Sequence, residues 1–165
     1  MAGVYFMQGQ DFQEIYGKNA FFFGGEYTIR FPVREQHGAD IALSLRQLRK
    51  SGKTSYTGEA TRLRLTTLAF SLRYSLESGD FTFFLGPGLD YVMYRERYAE
   101  TFPVSAVQGS ALGLHATSGV YYRFLEAVSL KAYFKYSSVE TETAGFRVNL
   151  GGTEWGLGVV YRFEF

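Results

Sequence analysis

Apolar and polar side chains alternate with a period of two along almost the whole chain, the signature of strands with one apolar face. In residues 20–32, Phe21, Phe23, Tyr27, Ile29 and Phe31 share one face, and Gly24, Glu26, Thr28 and Arg30 share the other. The same division recurs at 40–46, 67–76, 81–93, 112–124, 128–136 and 155–165, and a short run at 3–8 opens the chain. Eight strands are predicted, an even number as a single-chain bacterial membrane barrel requires. Residues 62–65 have the reverse parity, with Leu63 and Leu65 where Arg62 and Arg64 should be, so a β-bulge is expected near Thr66-Thr67. The predicted connections alternate in length. Long polar ones cover 9–19, 50–59, 96–109 and 138–151, and short ones cover 33–39, 77–80 and 125–127. Long outer loops and tight periplasmic turns are the membrane-barrel arrangement. Asp11-Phe12-Gln13-Glu14 has capping-box spacing, enough for one helical turn in the first long connection.

Composition sharpens this picture. Of 165 residues, 18% are aromatic and 19 are Gly, yet only 20% are charged and mean hydropathy is −0.11. Such a chain separates its residue kinds by face, as membrane barrels do when lipid-facing and lumen-facing positions alternate. No run of 18 apolar residues is present, so a membrane-spanning helix is not expected. The net charge of +1 gives no footprint for nucleic acid. The absence of Cys removes disulfides, thiolate metal sites and cysteine nucleophiles. With no secretory leader, Met1 reads as the start of a processed protein.

Alternation alone does not separate a membrane barrel from a soluble, lipocalin-like ligand-binding barrel, which remains the alternative. Three features favour the membrane. The polar face mixes Arg, Lys and Glu with Gly, as suits a narrow interior; the apolar face is nearly unbroken and several strands end it on Tyr or Phe, as interfacial girdles do; and the strands are long enough to cross the hydrocarbon, which takes roughly 9–11 tilted residues. The reading is an all-β, eight-stranded antiparallel up-and-down transmembrane β-barrel in one domain, 1–165.

The stretch Phe83-Phe84-Leu85-Gly86-Pro87-Gly88-Leu89-Asp90-Tyr91 resembles the fifth strand of the small outer-membrane β-barrel superfamily, the OmpA transmembrane-domain and OmpX-like group. Val148-Asn149-Leu150-Gly151-Gly152, with Gly156-Leu157-Gly158-Val159-Val160-Tyr161-Arg162-Phe163, is similar to its last strand. The resemblance implies a Gram-negative outer membrane, contact with lipid bilayer and lipopolysaccharide, and insertion by the barrel-assembly machinery. That machinery would read the aromatic ending Tyr161, Phe163 and Phe165. The resemblance implies no single activity, since members include anchors, adhesins, narrow channels and lipid-modifying enzymes.

Candidate chemistry is sparse. His115 falls on the polar face and His37 in a turn, and no Ser–His–carboxylate arrangement is discernible. No metal-ligand spacing occurs, and no cofactor is expected. The inward carboxylates Glu26, Asp90, Glu154 and Glu164 face Arg30, Arg46, Arg73, Arg123, Lys131, Lys135 and Arg162. These predict a lumen ion-pair network, with an anion path or proton relay as the other reading. Arg49, Lys50, Lys53, Arg62, Arg64, Arg95 and Arg97 gather with Arg46 at the predicted outer ends of strands three to five. They are candidate contacts for lipopolysaccharide phosphates, or else an ordinary solvated rim. The function expected is an outer-membrane protein that presents its loops, without an open pore and not an enzyme. A lipid A-modifying barrel enzyme is the alternative.

Overall fold

The computed structural model describes residues 1–53, 60–98, 106–143 and 146–161. Its elements are β1 (Ala2–Met7), α1 (Gln10–Tyr16), β2 (Asn19–Arg34), β3 (His37–Lys53), β4 (Ala60–Ser78), β5 (Phe81–Tyr98), β6 (Ala106–Arg123), β7 (Val128–Thr143), β8 (Phe146–Asn149) and β9 (Gly152–Tyr161). Each strand pairs antiparallel with its sequence neighbour from β1 to β7; β9 then pairs with both β7 and β1, closing a ring. β8 continues β9 in one register against β7, since Glu140 faces Asn149 and Ser137 faces Gly152. Leu150 N–H donates to Val139 C=O at 2.8 Å across the break. The two segments are therefore one interrupted eighth strand.

Around the middle of the ring the outward face carries Tyr27, Leu43, Leu72, Leu85, Leu114 and Leu157, all exposed. Leu157 keeps 69% of its accessible surface, which no soluble interior explains. The inward face carries Arg46, Ser71, Arg73, Asp90, His115 and Glu154, all buried. This inside-out distribution is what a barrel in hydrocarbon requires: the strands pair with one another around the ring and the apolar side chains face lipid.

No bulge occurs at Thr66-Thr67. Gln47↔Thr66 and Arg46↔Thr67 continue the β3–β4 ladder without a slip, and Thr66↔Met93 and Thr67↔Val92 continue the β4–β5 ladder. What changes there is polarity. Below the pair, Leu68, Phe70 and Leu72 point out; above it, Arg62 and Arg64 point out while Leu63 and Leu65 turn in and are buried. The chain keeps its parity and the surroundings exchange, because the outer ends of the strands stand in water above the bilayer.

That exchange also lengthens the strands. β3 reaches Lys53, β5 reaches Tyr98 and β7 reaches Thr143, so much of the sequence expected to loop at 50–59, 96–109 and 138–151 is strand. Above the bilayer their inward side chains form an apolar core of Phe22, Leu48, Leu63, Leu65, Val92, Val139 and Leu150. The helix α1 caps it. It is longer than the expected single turn and starts after Gly9 with no side-chain cap, so Asp11 is not its N-cap. At the opposite end the turns are tight; between β4 and β5, Gly79 takes φ +60, a left-handed conformation that favours glycine.

Candidate functional site: the filled lumen and the outward arginines

From the short-turn end upward, the inward side chains of neighbouring strands meet in linked charged groups. Lowest is Arg30 on β2, whose guanidinium donates to Asp40 at 2.9 and 3.2 Å and to Glu77 at 2.6 Å; Ser75 also donates to Asp40. Next, Arg73 forks onto both oxygens of Glu26 at 2.8 Å, and the Lys131 ammonium donates to the same carboxylate. Phe84 lies beneath both cations, 4.8 Å from the Arg73 guanidinium carbon and 5.2 Å from the Lys131 nitrogen, in cation–π range.

The third group centres on Asp90 and Glu154. Arg46 donates to both oxygens of Glu154 at 2.6 Å and lies 3.6 Å from Asp90; Tyr133 hydroxyl also donates to Glu154. Lys135 donates to Asp90 at 2.7 Å. His115 Nδ1 lies 3.1 Å from the same Asp90 oxygen, short of a linear hydrogen bond, while its Nε2 is 2.9 Å from Ser71 Oγ. Register explains the meeting: Ser71, Gly88 and His115 form one row across β4, β5 and β6. A Cβ on Gly88 would sit 2.4 Å from the imidazole, so only glycine there lets the ring lie across β5 and reach Ser71. Ser, His and Asp thus stand in the order of a hydrolytic triad, which the sequence pattern did not reveal because the three residues are far apart in the chain. All three are buried, Ser71 to 3% and Asp90 to 1% exposure.

Between this group and the apolar core is a cavity of about 30 Å³, lined by Arg46, Asp90, Lys135 and Glu154 below and by Phe22, Leu48, Val92 and Leu150 above. At the outer mouth the buried Tyr16 hydroxyl of α1 donates to Glu96 and lies 3.0 Å from Thr61 Oγ1. Burial, reinforced by the Glu96 carboxylate, pushes the Tyr16 hydroxyl up from its ordinary value, so it stays a donor.

The structure brings Glu26, Arg30, Arg46, Arg73, Asp90, Lys131, Lys135 and Glu154 into these groups. Arg123 does not join them. It stands at the short-turn rim, 43% exposed, 3.4 Å from Asp80 of the β4–β5 turn and donating to Gly79 C=O. A position one step beyond the last buried inward residue of β6, Tyr121, has left the lumen. Arg162, Phe163, Glu164 and Phe165 lie outside the described residues, and Tyr161 is exposed on the outward face. Asp40, Glu77 and the Tyr133 hydroxyl complete the groups; the inward parity of Asp40 and Tyr133 was the available signal.

On the outside, Arg49, Arg64 and Arg95 lie side by side on β3, β4 and β5, and Arg62 and Arg97 form the next pair above. Lys53 is exposed at the end of β3, whereas Lys50 follows the inward parity and donates to Asn19 C=O at 2.8 Å.

A closed antiparallel ring with an apolar outside, a charged inside and a polar outer crown defines an integral β-barrel of the bacterial outer membrane. The family model of the outer membrane protein beta-barrel domain matches residues 3–163, and the chain belongs to that family. No curated protein matches it by sequence. Among solved structures it is similar to Neisserial surface protein A, with TM-score 0.66, 17% identity and coverage of 98% of this chain and 92% of that one. It is also similar to OprG from Pseudomonas aeruginosa, with TM-score 0.66, 11% identity and coverage of 99% and 93%. A third is Ail of Yersinia pestis, with TM-score 0.57, 12% identity and coverage of 98% and 95%; Ail has also been solved with the heparin analogue sucrose octasulfate. These likenesses show the fold.

Proposed function

We propose that the chain is a solid outer-membrane barrel that anchors itself in the bilayer, presents its outer strand ends and loops, and passes no solutes. The observation that carries this reading is the filled lumen. Three linked charged groups and an apolar core follow one another along the axis, and the cavity between them measures only about 30 Å³. A conducting path would have to separate buried pairs, each of which costs several kcal/mol to leave unmatched. The test is planar-bilayer recording of the purified protein. The expected result is no steady conductance. Well-resolved channels that change in Arg46→Ala would overturn the reading and revive an anion path.

A second reading rests on Ser71, His115 and Asp90. As an enzyme the barrel would use Ser71 as nucleophile, His115 as base and Asp90 as orienting carboxylate. Burial of Ser71 and the second cation on Asp90 speak against it. Labelling of wild type but not Ser71→Ala by a fluorophosphonate, together with altered lipid A in cells expressing the protein, would establish it. For assembly, Tyr161, Phe163 and Phe165 act as the signal read by the insertion machinery. Deleting Phe165 should lower outer-membrane yield in cells far more than refolding yield in detergent, and equal yields in cells would refute that role.

A further inference from the structure

We infer that the outward arginines of β3–β5 form a binding site for the phosphorylated head group of an outer-leaflet glycolipid, seated by the Arg49–Arg64–Arg95 row. The ladders place these three residues directly opposite one another on adjacent strands, with Arg62 opposite Arg97 one row above. Like charges in directly paired positions are destabilising. Yet no described carboxylate lies within ion-pair distance of any of the five. Among the described residues Arg49 donates only to the amide oxygen of Gln47 on its own strand. The lumen, by contrast, pairs every inward arginine of the three groups with a carboxylate. A surface that tolerates five adjacent guanidiniums unmatched among the described residues is suited to an anion from outside the chain.

Position selects the anion. Below the arginine row lies Gln47–Thr66–Met93–Ser110, and below that the apolar row Leu45–Leu68–Tyr91–Leu112 that faces lipid. Successive rows on one face are about 7 Å apart along a strand, so the guanidiniums stand where the head groups of the outer leaflet begin. The small side chains Thr66 and Ser110, between bulky rows, leave a surface cleft of about 430 Å³ that Arg64, Arg95, Tyr91 and Met93 also line. A phosphate held in the Arg64 and Arg95 forks, a sugar in the cleft and an acyl chain over Leu68 and Leu112 satisfy both chemistries at once. A soluble polyanion would use the arginines and leave the cleft and the apolar row unused. The site lies on the lipid side of the wall, so it stands or falls independently of whether the lumen conducts.

The test uses native mass spectrometry of the detergent-solubilised protein titrated with bisphosphoryl lipid A, phosphatidylglycerol, inorganic pyrophosphate or sucrose octasulfate. Wild type should retain one lipid A in preference to phosphatidylglycerol. Replacing Arg64 and Arg95 together by Gln should weaken lipid A at least about tenfold, since each fork supplies charge-assisted hydrogen bonds. Thr66→Leu, which fills the cleft without changing charge, should weaken lipid A and leave pyrophosphate unaffected. Arg64 and Arg95 are exposed and Thr66 is half-buried, and the heat-dependent gel mobility of a folded barrel checks each variant. Equal lipid A binding by wild type and the double variant would overturn the site. Binding of sucrose octasulfate as tight as that of lipid A, with Thr66→Leu silent, would reassign it to soluble polyanions.

Discussion

The part of β4 below Thr66-Thr67 and the part above it follow one parity and one register, yet are opposites in chemistry. Below, Leu68, Phe70 and Leu72 face out and Ser71, Arg73 and Ser75 face in; above, Arg62 and Arg64 face out and Leu63 and Leu65 face in. The lower part resembles a soluble protein turned inside out, while the upper part has the ordinary order, with an apolar core under a polar surface. The difference teaches that side-chain polarity in a barrel reports the solvent on each side of the wall. A reversal of polarity need not signal a reversal of strand geometry.

The two regions should respond differently to the same kind of damage. The largest effect is expected in the lower lumen. Glu26→Leu leaves Arg73 and Lys131 buried without their shared carboxylate, which should cost about 3–5 kcal/mol, read as a shift of the urea unfolding midpoint in vesicles. A shift no larger than that of an exposed substitution would mean that water reaches these cations. In the crown, Leu63→Ala should cost about 2–5 kcal/mol, because Leu63 is a core residue at 2% exposure. If Leu63 faced lipid, as a bulge would require, the cost would be far smaller. The smallest effect belongs to Arg64→Leu, within about 0.5 kcal/mol in unfolding, since the side chain is exposed and holds no partner among the described residues. A large loss there would tie Arg64 to the fold and not to a ligand.

Much of the lower barrel was legible in the sequence. Inward parity alone places Glu26, Arg46, Arg73, Asp90, Lys131, Lys135 and Glu154 in the lumen, since a strand offers only two faces. Arg123 shows the limit of that rule: parity gives the face but not the height, and at the rim a side chain can turn to a neighbouring turn. Leu63 and Leu65 suggest a bulge for a related reason, because a pattern tuned to lipid outside takes an exchange of surroundings for a slip of the strand. Ser71–His115–Asp90 and the Arg49–Arg64–Arg95 row were illegible because they depend on which residues oppose each other between strands, and register belongs to pairing.

The chain carries no Cys, so single cysteines can be introduced at each position from Arg62 to Leu72 and spin-labelled in lipid vesicles. Exposure to oxygen, which partitions into lipid, and to a water-soluble nickel complex then reports the surroundings of every side chain. The expected profile keeps one phase throughout. Even-numbered labels are accessible along the whole stretch, favouring nickel at residues 62 and 64 and oxygen at 68, 70 and 72, while odd-numbered labels from 63 to 71 are shielded from both. A phase slip at Thr66-Thr67, with residues 63 and 65 open to oxygen, would contradict the inverted crown and restore a bulged strand.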